Sequence, residues 1–209
     1  MQLCNRYVVS VLQSFCASVR LRPLEFALMV SLCAGCAGTS AVKSVEMLDE
    51  RTGMTIGALL QPMAFTETGI YDLLVPDKQP TVVYIGPVEW DRSGDSTYLL
   101  WVQVAPGVDG HQLDDIRTRS AVNLQLDDGP VALSVLEAPP AADSPYHPVP
   151  PVGQTAYFPV DVALLKRMAA SQRLVLNLRA EDLTMIDFIP TQATQAALKQ
   201  FVIDRGIGY

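Results

Sequence analysis

Apolar and polar residues alternate with a period of two along much of the chain after residue 42, which is typical of strands with one buried face. Runs at 42–50 and 54–67 flank a turn in which Gly53 is suited to a positive φ. A second pair of runs, 81–90 and 97–105, surrounds the turn sequence DRSGDS. The pattern therefore predicts two antiparallel hairpins.

The clearest alternation spans residues 121–137 and is interrupted by Asp127-Asp128-Gly129. An Asp-Gly pair suits a tight hairpin turn, so a third hairpin is predicted there. Strand-like runs also cover residues 154–160, 173–179 and 182–190.

The C-terminal part of the chain carries two patterns that are typical of helices. Residues 161–170 form a short apolar stretch that Asp161 caps. Residues 191–204 begin at Thr191, end before Gly206 and place four apolar residues on one face: Ala197, Leu198, Phe201 and Val202.

Residues 138–151, APPAADSPYHPVPP, hold six prolines in 14 positions. This composition excludes a central strand or a helix and predicts a long, stiff loop with polyproline character. Strand count and hairpin spacing together predict a single mainly β (α+β) domain over residues 43–209. The expected architecture is an antiparallel β-sandwich with two short C-terminal helices.

The N-terminal segment has the layout of a secretory signal. Arg20 and Arg22 precede an uncharged run at 26–37, which is followed by small residues. The run is shorter than the roughly 20 apolar residues of a membrane-spanning helix. We therefore interpret residues 1–35 as a signal peptide. A buried N-terminal helix of a cytosolic protein is the less favoured alternative.

The sequence Cys33-Ala34-Gly35-Cys36 resembles a bacterial lipobox. The resemblance implies cleavage after Gly35 and lipidation of Cys36 with a diacylglyceryl and an N-acyl chain. Residues 36–42 would then be a lipidated tether, and Ala37 would favour the outer membrane. The motif departs from the family at Cys33, where leucine is usual. An ordinary secretory signal cut near Ser40 or Ala41, giving a soluble periplasmic protein, is the alternative.

Charge and cysteine usage narrow the function classes further. The formal net charge is −7, and no basic stripe occurs, which argues against nucleic acid as a partner because phosphate binding needs clustered Lys and Arg. All four cysteines lie within the first 36 residues. The body of the chain therefore has neither a disulfide framework nor a thiolate metal site.

The sequence contains none of the common catalytic motifs, which favours a protein that is not an enzyme. The two histidines, His111 and His147, both fall in predicted loops, and neither a zinc-protease motif nor a nucleophile elbow nor a phosphate-binding loop is present. Asp91 and Asp95 bracket a turn that offers carboxylates for calcium, but an Asp-rich turn bonding its own backbone is the favoured interpretation. We predict neither a cofactor nor a metal site.

Four residues are candidates for contact with a ligand or partner. Tyr146 and His147 among the prolines would present a preformed recognition surface, although a rigid crossover is the favoured alternative. Trp90 and Trp101 would form an aromatic platform, although core packing is the favoured alternative.

The hairpin sequence WDRSGDSTYLLWVQV and the later LDDGPVALSV look similar to a group of uncharacterised proteobacterial lipoproteins with sandwich-like domains. The resemblance covers most of residues 45–202. It implies an architecture and a location in the cell envelope, and it transfers no site. The sequence thus predicts a lipid-anchored, non-enzymatic domain that binds another envelope protein or supports an envelope structure. A periplasmic protein that binds a small ligand or carbohydrate is the alternative.

Overall fold

The computed structural model describes residues 43–67, 80–107, 112–139, 141–190 and 192–207, all within the unit formed by residues 42–209. The predictions for the signal peptide at 1–35, the tether at 36–42 with Cys36, the other cysteines, His111 and Thr191 concern residues outside these ranges. The described part contains ten strands and two helices: β1 Ser44–Asp49, β2 Met54–Leu59, β3 Met63–Glu67, β4 Val82–Arg92, β5 Asp95–Ala105, β6 Val122–Leu126, β7 Gly129–Ala132, β8 Thr155–Val160, α1 Val162–Ala170, β9 Val175–Arg179, β10 Met185–Pro190 and α2 Gln192–Asp204.

All ten strands join one antiparallel sheet that is organised around β4. One edge of β4 pairs with β5 along its whole length. Its other edge pairs with β3 through residues 82–85 and with β2 through residues 88–91, so β2 and β3 lie end to end. The prediction of one continuous strand over residues 54–67 is therefore wrong at its middle. Pro62 has no N–H to donate to a ladder, and the strand is interrupted at residues 60–62.

The sheet curls so that its two ends approach each other. One path through the sheet runs β8-β5-β4-β3-β10-β9-β6-β7. Four residues after β7, the Leu136 N–H donates to the Tyr157 carbonyl of β8 at 2.7 Å. The main core fills the concave side of this sheet and includes Ile85, Val102 and Phe158 together with the buried faces of both helices. The prediction of a mainly β, sandwich-like α+β domain with two short helices is confirmed.

The three predicted hairpins are present, and their turns have the expected geometry. Gly53 ends the β1–β2 turn with φ 67°, and Ser93 and Gly94 connect β4 to β5 with φ 59° and 90°. Positive φ at both central residues matches the right-handed twist of the flanking strands. The β6–β7 turn, Asp127-Asp128, is followed by Gly129 with φ 127°.

Both helices begin or end as the sequence indicates. The Asp161 carboxylate accepts a hydrogen bond from the Leu164 N–H at 2.6 Å and so caps α1. The α2 helix buries Ala197, Leu198, Phe201 and Val202, as predicted. The chain then turns at Gly206 with φ 61°, which ends the helix. Within the described ranges, neither helix is long and apolar enough to cross a membrane.

A second core lies on the opposite face of β2, β4 and β5. It contains eight buried side chains: Met54, Ile56, Ala58, Val88, Trp90, Leu99, Trp101 and Tyr146. The first seven come from strands, whereas Tyr146 comes from the proline-rich loop. The described part of residues 138–151 contains no helix or strand, in agreement with the prediction, and it covers this face of the sheet.

Asp127 of the β6–β7 turn holds the loop that follows α1. Its carboxylate accepts hydrogen bonds from the Gln172 N–H at 2.7 Å and the Arg173 N–H at 2.8 Å. These two bonds lower the pKa of Asp127 below its ordinary value. The stabilisation is therefore present above the unfolded pKa of about 3.9 and is lost as the pH falls through the lower folded value.

We expect Asp127→Asn to be less stable than the wild type at neutral pH, and its stability to fall less between pH 5 and pH 2. Urea denaturation at several pH values measures both effects. Asp95→Asn is the matched control, because the Asp95 carboxylate makes no hydrogen bond to the described residues. Equal pH dependence of the two variants would contradict the assignment.

Candidate functional site

The structure buries three of the four predicted contact residues. Trp90 and Trp101 are each 1% exposed, and Tyr146 is also buried, whereas His147 is exposed. Trp90 and Trp101 lie on the same face of the β4–β5 pair and belong to the second core. Both tryptophans thus pack in the second core, Tyr146 joins the proline-rich loop to that core, and none of the three rings is an open platform.

Tyr146 anchors the proline-rich loop to the sheet. Its ring lies 5.0 Å from the Trp101 ring at an interplanar angle of 37°. The ring also covers Gly86, where an added Cβ would come within 2.1 Å of a ring carbon. The hydroxyl donates to the Pro87 carbonyl at 3.0 Å and accepts from the Leu59 N–H at 3.1 Å. Burial raises the pKa of this hydroxyl, so it stays protonated as a donor.

Gln103 forms a second attachment that the sequence analysis missed. This side chain on β5 is fully buried, and its amide donates to the Val149 carbonyl at 2.8 Å and accepts from the Val149 N–H at 2.9 Å. The two bonds satisfy a backbone segment that has no neighbouring strand. A glutamine among the apolar residues of a buried strand was the available signal, because a buried amide needs partners.

Residues 147–152 form a surface that we call the proline ridge. It is held by Tyr146 at one end, by Gln103 at Val149, and beyond its other end by a hydrogen bond from the Gly153 N–H to the Val104 carbonyl at 3.1 Å. Between these attachments, five side chains point to solvent: His147, Pro148, Pro150, Pro151 and Val152. Val152 is 61% exposed. The ridge is thus a fixed backbone with exposed proline and aliphatic groups.

An open cavity of about 440 Å³ lies at the tip of the β4–β5 hairpin. Three separate parts of the chain line this hairpin-tip cavity: Thr52 and Met54 around the β1–β2 turn, Trp90, Arg92, Asp95 and Thr97 of the hairpin, and Ala141 of the proline-rich loop. Met54 and Trp90 are buried, whereas Arg92, Asp95 and Thr97 are exposed. The Trp90 ring packs on Tyr157, with the ring centroids 5.2 Å apart. Trp90 is therefore the predicted contact residue that the structure places beside a cavity.

One of the two aspartates of the hairpin tip, Asp91, stabilises the backbone turn. The Asp91 carboxylate accepts from the Gly94 N–H at 3.0 Å and from the Ser96 hydroxyl at 3.0 Å. This is the self-bonded turn that the sequence analysis favoured over calcium. No group of three or more metal-ligating side chains occurs among the described residues.

An ionic cluster at the end of α2 was not predicted. The Arg205 guanidinium lies 3.2 Å from the Glu46 carboxylate and 3.7 Å from that of Glu89, and it donates to the Val45 carbonyl at 2.7 Å. The Tyr98 hydroxyl donates to Glu89 at 3.0 Å. Burial and this carboxylate raise the pKa of Tyr98. The cluster ties the last helix to β1, β2 and β4.

The charged connector at residues 114–119 is divided between two ion pairs. Asp114 binds Arg179 of β9 at 2.7 Å, and Asp115 binds Arg117 at 2.7 Å. The first pair holds the connector against the sheet, whereas the second is local and exposed. Neither pair lines the hairpin-tip cavity.

Comparison of this chain with protein-family models, with curated proteins and with solved structures gives no match. The features of this chain that bear on its function are therefore the motif at Cys36, the proline ridge and the hairpin-tip cavity.

Proposed function

We propose that this protein is a lipid-anchored cell-envelope protein whose β domain is a non-enzymatic module for binding another envelope protein. The lipobox-like segment that ends at Cys36 supports the anchor. The first strand of the described residues begins at Ser44, so residues 37–43 would link a lipidated Cys36 to it. Seven extended residues span at most about 25 Å, which would keep the domain close to the bilayer. Two or more acyl chains give a stable attachment, at about 0.8 kcal/mol for each buried CH₂.

The proline ridge is the observation that carries the interaction. A flexible loop loses conformational entropy when it binds, whereas a segment already fixed by its own protein loses little. Two buried side chains hold the ridge against the sheet. Gln103 hydrogen-bonds to both backbone groups of Val149, and Tyr146, at the end of the ridge, donates to the Pro87 carbonyl. The exposed prolines fit an aromatic-lined groove, which is how proline-rich segments are commonly recognised. We therefore assign the partner as an envelope protein with such a groove.

The anchor is tested by the intact mass of the mature protein extracted from membranes. We expect a chain that begins at Cys36 and carries acyl groups, and we expect Cys36→Ala to lose both the acyl mass and the membrane fraction. A mass that matches a cut near Ser40 would instead identify a soluble periplasmic protein. An unprocessed chain from Met1 would contradict the location altogether.

The interaction is tested by site-specific photo-crosslinking in intact cells. We expect a photoreactive residue at His147 or Val152 to give a discrete adduct with one protein. The matched control is Leu183, which is 72% exposed and lies in the turn between β9 and β10. The same adduct from Leu183, or the absence of any adduct from the ridge, would contradict an interaction through the ridge.

A further inference from the structure

We infer that the hairpin-tip cavity is a binding site for a small, uncharged ligand rich in hydroxyl groups, such as a sugar. Its volume of about 440 Å³ lies within the range of about 300–1,000 Å³ that is usual for small-molecule sites. This inference does not depend on the lipid anchor or on the proline ridge.

The floor of the cavity combines apolar surface with one unused donor. Met54 and Trp90 supply the apolar part. The indole N–H of Trp90 is buried, and no described residue accepts a hydrogen bond from it. A buried donor without a partner is unfavourable, and most such groups in proteins are satisfied by protein or water. Because this nitrogen has almost no accessible surface, the polar contacts to a ligand come from the rim and not from the indole N–H.

The rim of the cavity carries one positively charged and one negatively charged side chain, at paired positions of β4 and β5. Arg92 and Asp95 are partners across the β4–β5 turn, and no salt bridge links them. The Asp95 carboxylate makes no hydrogen bond or salt bridge with the described residues, and the Arg92 guanidinium makes one weak hydrogen bond of 3.4 Å to the Thr52 carbonyl. The rim thus offers a strong acceptor and a strong donor with no net charge. Hydroxyl groups can donate to the first and accept from the second.

The rim is also held in place before any ligand arrives. Asp91 accepts from the Gly94 N–H and fixes the two-residue turn between Arg92 and Asp95. On the opposite side, the Arg51 guanidinium donates to the Ala141 carbonyl and lies 3.7 Å from the Asp143 carboxylate. Preorganisation of this kind lowers the entropic cost of binding. A sugar ring, with C–H groups on its faces and hydroxyls at its edge, matches this floor and rim.

The test is fluorescence titration of the full chain in detergent with glucose, N-acetylglucosamine and maltose. Trp90 and Trp101 are the two tryptophans of the chain, so Trp101→Phe leaves Trp90 as the sole reporter. We expect at least one of these sugars to give a saturable change in emission. Asp95→Asn and Arg92→Gln should each weaken binding about tenfold, because each removes a charge-assisted hydrogen bond. Arg117→Gln, at the exposed ion pair away from the cavity, should bind as the wild type does.

Three results would overturn the inference. The first is the absence of a saturable change with all three sugars, together with no heat of binding by calorimetry. The second is binding that Asp95→Asn and Arg92→Gln leave intact, which would place the sugar elsewhere. The third is a response to glycine, a zwitterion, with none to the sugars, which would contradict the assigned ligand class.

Discussion

Replacing Tyr146 by alanine is expected to destabilise the domain by about 3–5 kcal/mol, the range for removing a large buried aromatic side chain. The ring lies over Gly86 and packs on Trp101, so its removal would leave a cavity in the second core. Its loss also leaves the Leu59 N–H and the Pro87 carbonyl without the hydroxyl that joins them. The measurement is urea denaturation followed by tryptophan fluorescence, since Trp101 contacts the ring directly.

Two further variants separate packing from hydrogen bonding at this position. Tyr146→Phe keeps the ring and removes the hydroxyl, so we expect a smaller loss of about 1–3 kcal/mol. Tyr157→Phe is the matched control, because the Tyr157 hydroxyl bonds to the exposed Ser144 side chain at 3.0 Å. A Tyr146→Ala variant within about 1 kcal/mol of the wild type would show that the loop does not depend on this anchor.

The hairpins were predictable because their determinants are local. A positive φ at Gly53, Gly94 or Gly129 is a property of a turn that a short stretch of sequence specifies. That Trp90 and Trp101 share one face follows from the register of β4 and β5, which alternation within each strand does not give. The broken strand at residues 60–62 shows where the pattern fails. Residues 54–67 were read as one strand although Gln61 and Pro62 interrupt the apolar residues, and β2 and β3 pair with different parts of β4.

The exposure of the predicted contact residues was harder to predict, because the burial of a strand side chain depends on which other segment of the chain covers that face of the sheet. The cover over Trp101 is Tyr146, which lies 45 residues further along the chain. Periodicity identifies the face and says nothing about so distant a segment. The pairing of Gln103 with Val149 has the same origin, since it links β5 to a loop with no strand pattern of its own. The ridge, the cavity and the ionic cluster all arise from such non-local contacts.

The ionic cluster gives the second large expected effect: Arg205→Met should destabilise the domain by about 3–5 kcal/mol. The Arg205 side chain is 9% exposed and that of Glu89 is 13% exposed. Removing the guanidinium leaves a largely buried carboxylate without its countercharge, and it frees the Val45 carbonyl. Methionine keeps much of the side-chain volume over Gly57, where an added Cβ would come within 2.5 Å of the guanidinium carbon.

A double variant identifies the source of this loss. If the unpaired carboxylate of Glu89 dominates, Arg205→Met combined with Glu89→Gln should recover part of the stability, because the amide carries no charge. If lost packing dominates, the double variant should be no more stable than Arg205→Met alone. Arg117→Met is the matched control, since its pair with Asp115 is exposed and should contribute less than about 1 kcal/mol. An effect of Arg205→Met no larger than that of the control would mean that the cluster does not hold α2 to the sheet.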